Sequence, residues 1–393
     1  MKNWLFLAPH LRYPLMNGAD ISIDRFAKNI NILLGHTVTL VGENFMCKII
    51  SESECKFVSF ENKFNSRLYS ALFSLLTLSH YSKVRFITYG YKRFIRKLKI
   101  HSNYDYVVCS YVFTLHAFDK YIPGSIPRYV WTHNNDIQWF SNAFRNSNNP
   151  IVKCLNYISL KKSMYYLNCT YVSTTFIAVS DNDFKELLDF NNKLSISRFI
   201  IGADVLSVPI IKTENDNDDL VLTFIGSLGV SMNIHGLFLF INKFYPILKE
   251  AFGQKLVVQI VGSNPSKLVK KVCEENNLNL YANMSDLEID KLLAATDYTF
   301  LSFNYSSGIK LKLLYSLSRG IPVLATNTLY DEKYSKIKLC LFSDNPIDWV
   351  DHINKNYKAN NLKNRIEIIN SVKNLSWLNV TKQFLNSNNF ILN

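Results

Sequence analysis

The stretch that decides the fold reads Thr299-Phe300-Leu301-Ser302-Phe303, then Asn304-Tyr305-Ser306-Ser307-Gly308, then Ile309-Lys310-Leu311-Lys312-Leu313-Leu314-Tyr315-Ser316-Leu317-Ser318-Arg319-Gly320-Ile321-Pro322. A β-branched and aromatic run is followed by a polar turn, then by apolar residues at helical spacing, then by a glycine and a proline that open the next strand. Ser306 or Ser307 can cap the helix, and Gly308 leaves its first N–H groups open to a ligand. Lys312 stands one turn in, where a cation opposes the helix dipole unless an anion sits there. Read without its surroundings, the segment is better taken as a capped crossover helix with surface lysines.

The same alternation runs outward in both directions. Strands are predicted near Trp4–Ala8, Thr37–Val41, Tyr106–Ser110, Tyr129–Thr132, Phe176–Val179 and Phe199–Ile201 in the first half. In the second they are predicted at Leu220–Ile225, Leu256–Val261, Asp297–Leu301 and Pro322–Ala325, with weaker runs near Leu280 and Leu339. Between the halves, residues 212–219 (Lys-Thr-Glu-Asn-Asp-Asn-Asp-Asp) are polar and lack an apolar anchor, the composition of a linker. The reading is α/β: two Rossmann-like, doubly wound domains, residues 1–211 and 220–375, with a ligand cleft expected between their strand C-termini. Residues 376–393 form a C-terminal helical segment expected to pack back on the first domain.

With 393 residues, 48% hydrophobic and 19% charged, the chain can bury two cores and is not a disordered tail. Its longest apolar stretch, Leu68 to Leu78, is too short to span a bilayer and already contains Ser70, Ser74 and Thr77. Seven scattered Cys with no Cys-x-x-Cys pair indicate neither a zinc site nor a disulfide framework and point to a reducing cytoplasm. The net charge of +13 calls for an anionic partner. Six Lys/Arg and no carboxylate lie between Arg85 and Lys99, among them Lys92, Arg93, Arg96 and Lys97, interleaved with Phe86, Tyr89, Tyr91 and Phe94. Two readings stand: a peripheral anionic membrane surface contact, or a solvated helix face whose aromatics pack inward. No motif accompanies the charge to indicate nucleic acid.

After the first strand, Gly-x-Gly-x-x-Gly is missing; the chain runs instead through Pro9-His10-Leu11-Arg12-Tyr13-Pro14-Leu15-Met16-Asn17-Gly18. That argues against a redox dinucleotide, and a Walker A loop is also absent. Gly18 permits a close backbone approach at a helix start, an anion-favouring position, though Asn-Gly there is more often a simple turn. Asp181-Asn182-Asp183 has the form of a divalent metal site, but its place after Ser180 at a helix start fits capping better.

Taken in order, these pieces resemble glycosyltransferase family 4, also called glycosyl transferases group 1, a retaining family of GT-B fold. The matching pieces are the Gly18 loop and first helix ending Leu34-Gly35-His36-Thr37-Val38, then Thr132-His133-Asn134, Ala178-Val179-Ser180 and Gly202-Ala203-Asp204. They continue through Ile225-Gly226-Ser227-Leu228 with Asn233, Val261-Gly262, Ala282-Asn283-Met284-Ser285 and Ser307-Gly308-Ile309-Lys310-Leu311-Lys312. The resemblance implies an EC 2.4 hexosyltransferase-type enzyme. It would take a UDP- or GDP-linked sugar, require no metal or other cofactor, and act on a glycan or lipid-linked glycan in bacterial surface polysaccharide synthesis (O-antigen, capsule or similar). It further implies a cytoplasmic location, with a peripheral place on the inner membrane face.

By the same resemblance His133 and Lys312 are the catalytic candidates. Gly18, Gly226, Ser227, Gly262, Met284, Ser306, Ser307, Gly308, Ile309 and Tyr315 would contact the nucleotide-sugar, and Asn17, Asn134 and Asp136 the acceptor side. A lone His in Thr-His-Asn is by default structural; its position in the family pattern gives it the second reading. The chain departs from the family where many members carry two Glu eight residues apart, the second binding the ribose. Those positions are Ser307 and Tyr315 here, while the usual Arg is Ser227 and the usual Lys lies near Asn233. An altered donor mode, a divergent active branch and a degenerate nucleotide- or glycan-binding protein all follow from that departure. The persistence of Gly18, His133, Gly308 and Lys312 favours the active branch. A GT-B sugar-nucleotide epimerase is a further alternative, needing carboxylate acid/base groups that no motif supplies.

Overall fold

The computed structural model describes the whole chain except Pro14, Met16, Asn17, Leu78, Asn134, Asn135, Asn148, Thr170 and residues 210–218, 305–310, 357–360 and 391–393. The described residues fall into two compact units: one from 1–201 with the C-terminal segment beginning at Trp377, the other from residues between 202 and 376. Most of the linker read from composition lies outside the described residues. The change of unit falls ahead of it, because Ala203 N donates to Leu375 O and Leu206 N to Ser318 O, tying residues after Gly202 to the second unit.

The first unit is built on an eight-stranded sheet ordered β4-β3-β2-β1-β5-β6-β7-β8. Its strands are β1 (Asn3–Leu7), β2 (Thr37–Val41), β3 (Phe45–Ile49), β4 (Cys55–Ser59), β5 (Tyr106–Ser110), β6 (Arg128–Trp131), β7 (Thr174–Ala178) and β8 (Ser195–Arg198). β1, β2 and β5–β8 are parallel, in a register that pairs Phe6 with Leu40 on one side and with Val108 on the other. The near-continuous apolar runs of β1, β2 and β5 fit strands covered on both faces. Leu5, Leu7, Val107 and Cys109 pack with Tyr91, Ile95 and Phe118 on one side. On the other side Phe26 of helix α1 (Gly18–Leu34) meets Phe6, Trp131 and Phe199.

The C-terminal helix Trp377–Ser387 closes that second face, with Phe384 against Phe26 and Asn29 Nδ2 donating to Thr381 Oγ1. Two sequence expectations change here. The strand expected at Phe199–Ile201 lies earlier, at Ser195–Arg198, and Phe199 instead turns its ring into the aromatic core. The antiparallel pair β3 and β4 was not anticipated. Its outer strand is exposed throughout, with Lys56 on the edge, so it carries no buried alternation to read.

The second unit holds an all-parallel sheet ordered β11-β10-β9-β12-β13-β14. The strands are β9 (Leu220–Ile225), β10 (Leu256–Gly262), β11 (Asn279–Ala282), β12 (Tyr298–Leu301), β13 (Val323–Ala325) and β14 (Leu341–Phe342). The helix Leu311–Leu317 crosses from β12 to β13. It ends at Gly320, whose φ of +77° and close approach to Arg365 O exclude a side chain. In each unit strand order reverses beside the first strand, between β1 and β5 and between β9 and β12. Ligands of open α/β sheets bind at the carboxyl ends of such strands.

Candidate functional site

In the first unit the reversal point carries a buried polar network. Ser110 ends β5, and its hydroxyl lies 2.6 Å from His133 Nε2 and 3.5 Å from His10 Nδ1. The other nitrogen of His133, Nδ1, lies 3.5 Å from the hydroxyl of Ser22, one turn along the helix that Gly18 opens. His10 Nε2 in turn stands 3.8 Å from the Asp20 carboxylate, and Tyr111 packs on both imidazoles. Burial, with His10 adding repulsion, holds the His133 pKa well below its usual value; burial alone lowers His10 to about 4. Both rings are therefore neutral at neutral pH, hydrogen-bonding partners and not cations.

Asp136 opens the helix Asp136–Asn146, and burial raises its pKa to about 7. Its charge acts on Tyr111, the ring that packs on both imidazoles, and a carboxyl raised toward neutrality is the kind of group enzymes use for proton work. The structure brings His133 and the Gly18 helix together through Ser22. The surrounding His10, Asp20, Ser22, Ser110 and Tyr111 were missed, because none belongs to a short motif; only the sheet order gathers them. Asn17 and Asn134 lie outside the described residues.

In the second unit three of the expected residues converge at the β9/β12 reversal. Gly226 follows β9 and Gly262 ends β10; a Cβ on Gly262 would lie 2.0 Å from Gly226 O, so the two backbones touch. A Cβ on Gly226 would meet Lys312 Cε at 2.9 Å and Asn233 Nδ2 at 3.1 Å. Lys312 thus lies across the end of β9, with its ammonium 5.5 Å from the centre of the Phe303 ring. Among the described residues it has no ion-pair partner, and burial lowers its pKa to about 8. Beside it Asn233 Nδ2 donates to Ser227 O, while Asn233 Oδ1 is buried with no hydrogen-bond partner among the described residues. The half-buried Lys312 cation and the unused Asn233 Oδ1 acceptor stand together at the end of β9, a pairing suited to an anion with attached hydroxyls.

Tyr315 lies about one turn beyond Lys312. Its ring is covered by the Arg319 guanidinium at 3.6 Å, and Asp290 accepts from Arg319 Nε at 2.7 Å. Burial pushes the phenol up to about 12, so it remains a neutral donor. Met284 is half-buried just after β11, ahead of the capping box of Ser285 and Glu288. Ser306, Ser307, Gly308 and Ile309 lie outside the described residues.

Ser180 caps this helix: its hydroxyl accepts from the Asp183 N–H and donates to the Asp183 carboxylate, while Asp181 pairs with Arg198. Among the described residues no group of three His, Cys, Asp or Glu side chains is placed to hold a metal ion.

The basic segment takes the second of its two readings for its aromatics. In helices α3 (Tyr81–Phe86) and α4 (Tyr89–Lys97), which follow helix α2 (Arg67–Leu76), Tyr91 is fully buried and Phe94 stacks on Phe60 at 4.0 Å. Tyr89 alone among these rings is strongly exposed. Arg85 donates to Asn65 O, and Arg96 donates to the Tyr121 hydroxyl and covers its ring. Lys92 is half-buried, while Arg93 and Lys97 are exposed and line, with Lys63, Asn62 and Thr88, a pocket of about 590 Å³. Among the described residues no helix is long and apolar enough to cross a membrane.

Two doubly wound units of this kind, each with polar groups at its strand reversal, define a GT-B fold. Residues 219–375, nearly all of the second unit, match the family model described as Glycosyl transferases group 1, the family that the sequence resembles. The chain is 22% identical over 242 residues to an "uncharacterized 44.6 kDa protein in cps region" of Klebsiella pneumoniae; the match spans 59% of this chain and 60% of the relative's length. Its fold is similar to the apo form of the lipopolysaccharide outer core galactosyltransferase WaaB (TM-score 0.56, 13% identity, 98% of each chain). It is also similar to Anabaena Alr3699/HepE in complex with UDP-glucose (TM-score 0.62, 12% identity, 98% of this chain and 99% of that one).

Proposed function

We propose that the protein is a glycosyltransferase that moves a hexose, with retention, from a UDP- or GDP-linked donor to a hydroxyl of a glycan or lipid-linked glycan. The observation that carries this reading is Lys312, a cation without an ion-pair partner among the described residues, held at the strand reversal of the unit that matches the family. When the bond between sugar and diphosphate breaks, negative charge grows on the leaving phosphate, and a preorganised, half-buried ammonium stabilises that charge without a metal ion. Gly226 and Gly262 let β9, β10 and the Lys312 side chain pack closely at the strand ends, and Asn233 Oδ1 offers an acceptor for a donor hydroxyl. Ser227, Met284, Tyr315 and the loop Ser306–Ile309 complete the donor side in this reading.

In the first unit His133 is a neutral, doubly hydrogen-bonded ring that positions groups at the acceptor side with Asn17, Asn134 and Asp136, while Gly18 approaches the nucleotide-sugar. The setting of surface polysaccharide synthesis is supported by the cps-region relative and by the lipopolysaccharide enzyme of similar fold. The test is transfer and donor hydrolysis across a panel of UDP- and GDP-sugars, comparing the wild type with Lys312→Ala and His133→Ala, with the product anomer read by NMR. Turnover by the wild type that both variants lose supports the reading. Binding without turnover of any donor contradicts it in favour of a nucleotide-binding protein, the outcome that Ser307 and Tyr315 in place of the two carboxylates would then explain.

A further inference from the structure

Helix α2 is built inside out. Ser70 and Ser74 are its buried residues, and they are held by polar contacts: Ser70 Oγ donates to Ser66 O, and Ser74 Oγ to Ser79 O. The ammonium of the buried Lys162, from the helix Pro150–Asn168, reaches Ser74 O, Ser74 Oγ and Ser79 O and so fixes the end of α2. The opposite side is apolar and open. Leu68 (72%), Leu72 (52%) and Leu76 (85%) form one exposed stripe, flanked by Tyr69, Phe73 and Leu75, each 40% exposed or more. At 3.6 residues per turn these six side chains sweep a continuous arc of about 160°. A core helix has the reverse arrangement, and an exposed patch of this kind marks a docking surface.

The charge around it says what docks. From Asn62 to Tyr104 the chain carries nine Lys/Arg and not one carboxylate. Lys63 and Arg67 sit at the start of α2, and Lys63 shares its pocket with the exposed Arg93 and Lys97. We propose that α2 lies in the interface of an anionic phospholipid bilayer, with its leucine stripe among the acyl chains and the surrounding cations at the phosphates. An amphipathic helix of this length is too short to span but suits the interface. The insertion element is thus α2, and the α3–α4 segment supplies charge, with Tyr89 its one strongly exposed ring. The inference bears on the lipid-linked acceptor in the function proposed above. Its test uses no sugar nucleotide, so either can fail without the other.

The full chain is floated with vesicles of equal parts phosphatidylglycerol and phosphatidylcholine, and with phosphatidylcholine alone. The wild type is expected to float with the anionic vesicles only. The Leu68→Gln, Leu72→Gln, Leu76→Gln triple variant should lose about tenfold or more of that affinity, the loss of three partly inserted leucines. It should keep the wild-type circular dichroism and melting temperature, because the changed side chains face solvent. In a separate Leu72→Trp variant, indole fluorescence should shift to the blue on anionic vesicles and be quenched by brominated acyl chains. Flotation of the triple variant equal to that of the wild type, no flotation of the wild type, or an unquenched indole would overturn the proposal. So would a dimer in analytical ultracentrifugation that the triple variant abolishes, which would assign the face to a second copy of the chain.

Discussion

Lys312 Cε lies where a side chain on Gly226 would have to go: a Cβ built on that glycine stands 2.9 Å from it. The lysine is therefore held across the end of β9 by the absence of a neighbouring side chain, and its ammonium remains where burial makes charge costly, with a pKa of about 8. An anion bound there would restore the charged form, so binding and protonation are linked. At pH 8 a bound nucleoside diphosphate should draw up to about half a proton from solution, because a group at its pKa is half protonated. Affinity should stay level below about pH 7 and fall as the pH rises through 8. Calorimetry in buffers of different ionisation enthalpy measures the uptake directly, and Lys312→Arg, which stays charged, should show none.

The contact between Gly262 and Gly226 leaves no slack. Gly262→Ala puts a methyl group 2.0 Å from a backbone oxygen and 2.7 Å from Leu228 Cγ, so β9 and β10 must move apart. A loss of about 1–3 kcal/mol is expected from such overpacking. Gly229→Ala, whose nearest neighbour is 3.5 Å away, is the control and should change the melting temperature little. Equal melting temperatures for the two variants would show that the recess tolerates what its geometry forbids.

Ser110 is the sole hydroxyl within 2.6 Å of His133 Nε2 among the described contacts. Ser110→Ala leaves a fully desolvated ring nitrogen without its partner, at a cost of about 1–3 kcal/mol. Urea unfolding should show that loss, and NMR of the imidazole nitrogens should show a changed tautomer balance. An unchanged spectrum and midpoint would remove Ser110 from the network.

Strand positions were legible where burial leaves a run of apolar residues, as in Trp4–Ala8 and Leu220–Ile225, and so was the order of the two sheets' helices and strands. The β3–β4 pair was not: β3 is a five-residue strand alternating Phe45, Cys47 and Ile49 inward, and its exposed partner β4, with Lys56 and Phe57, has no buried side to read. Gly226, Gly262 and Lys312 could be named from their family spacing. His10, Asp20 and Ser110 could not, because they are separated by up to about a hundred residues and meet only where β1, β5 and β6 end together. The outward face of helix α2 was not legible for a different reason. The sequence shows only an apolar stretch too short to span a bilayer, and the placement of Ser70 and Ser74 shows that its leucines face outward.

Asp136 gives the first unit a pH dependence of definite sign. Its folded pKa of about 7 stands above the unfolded value of 3.8, so the native state holds the proton more tightly. The stability it contributes is complete below about pH 4 and is lost as pH rises through 7, at most a few kcal/mol at about 1.4 kcal/mol per pH unit. Asp136→Asn cannot ionise and should be more stable than the wild type at pH 8 but not at pH 4. Thermal melts of both proteins across that range check the sign, and parallel curves would refute it.

The central claim is that the recess at Lys312 binds the diphosphate of a sugar nucleotide. Isothermal titration of the wild type, Lys312→Ala and Lys312→Arg with UDP and GDP at neutral pH tests it most directly. The account predicts saturable binding of at least one diphosphate by the wild type and a loss of about tenfold or more in Lys312→Ala, the scale of one charge-assisted contact, with much of it recovered in Lys312→Arg. Binding by Lys312→Ala as tight as that of the wild type, or no binding of either diphosphate by the wild type, would contradict it.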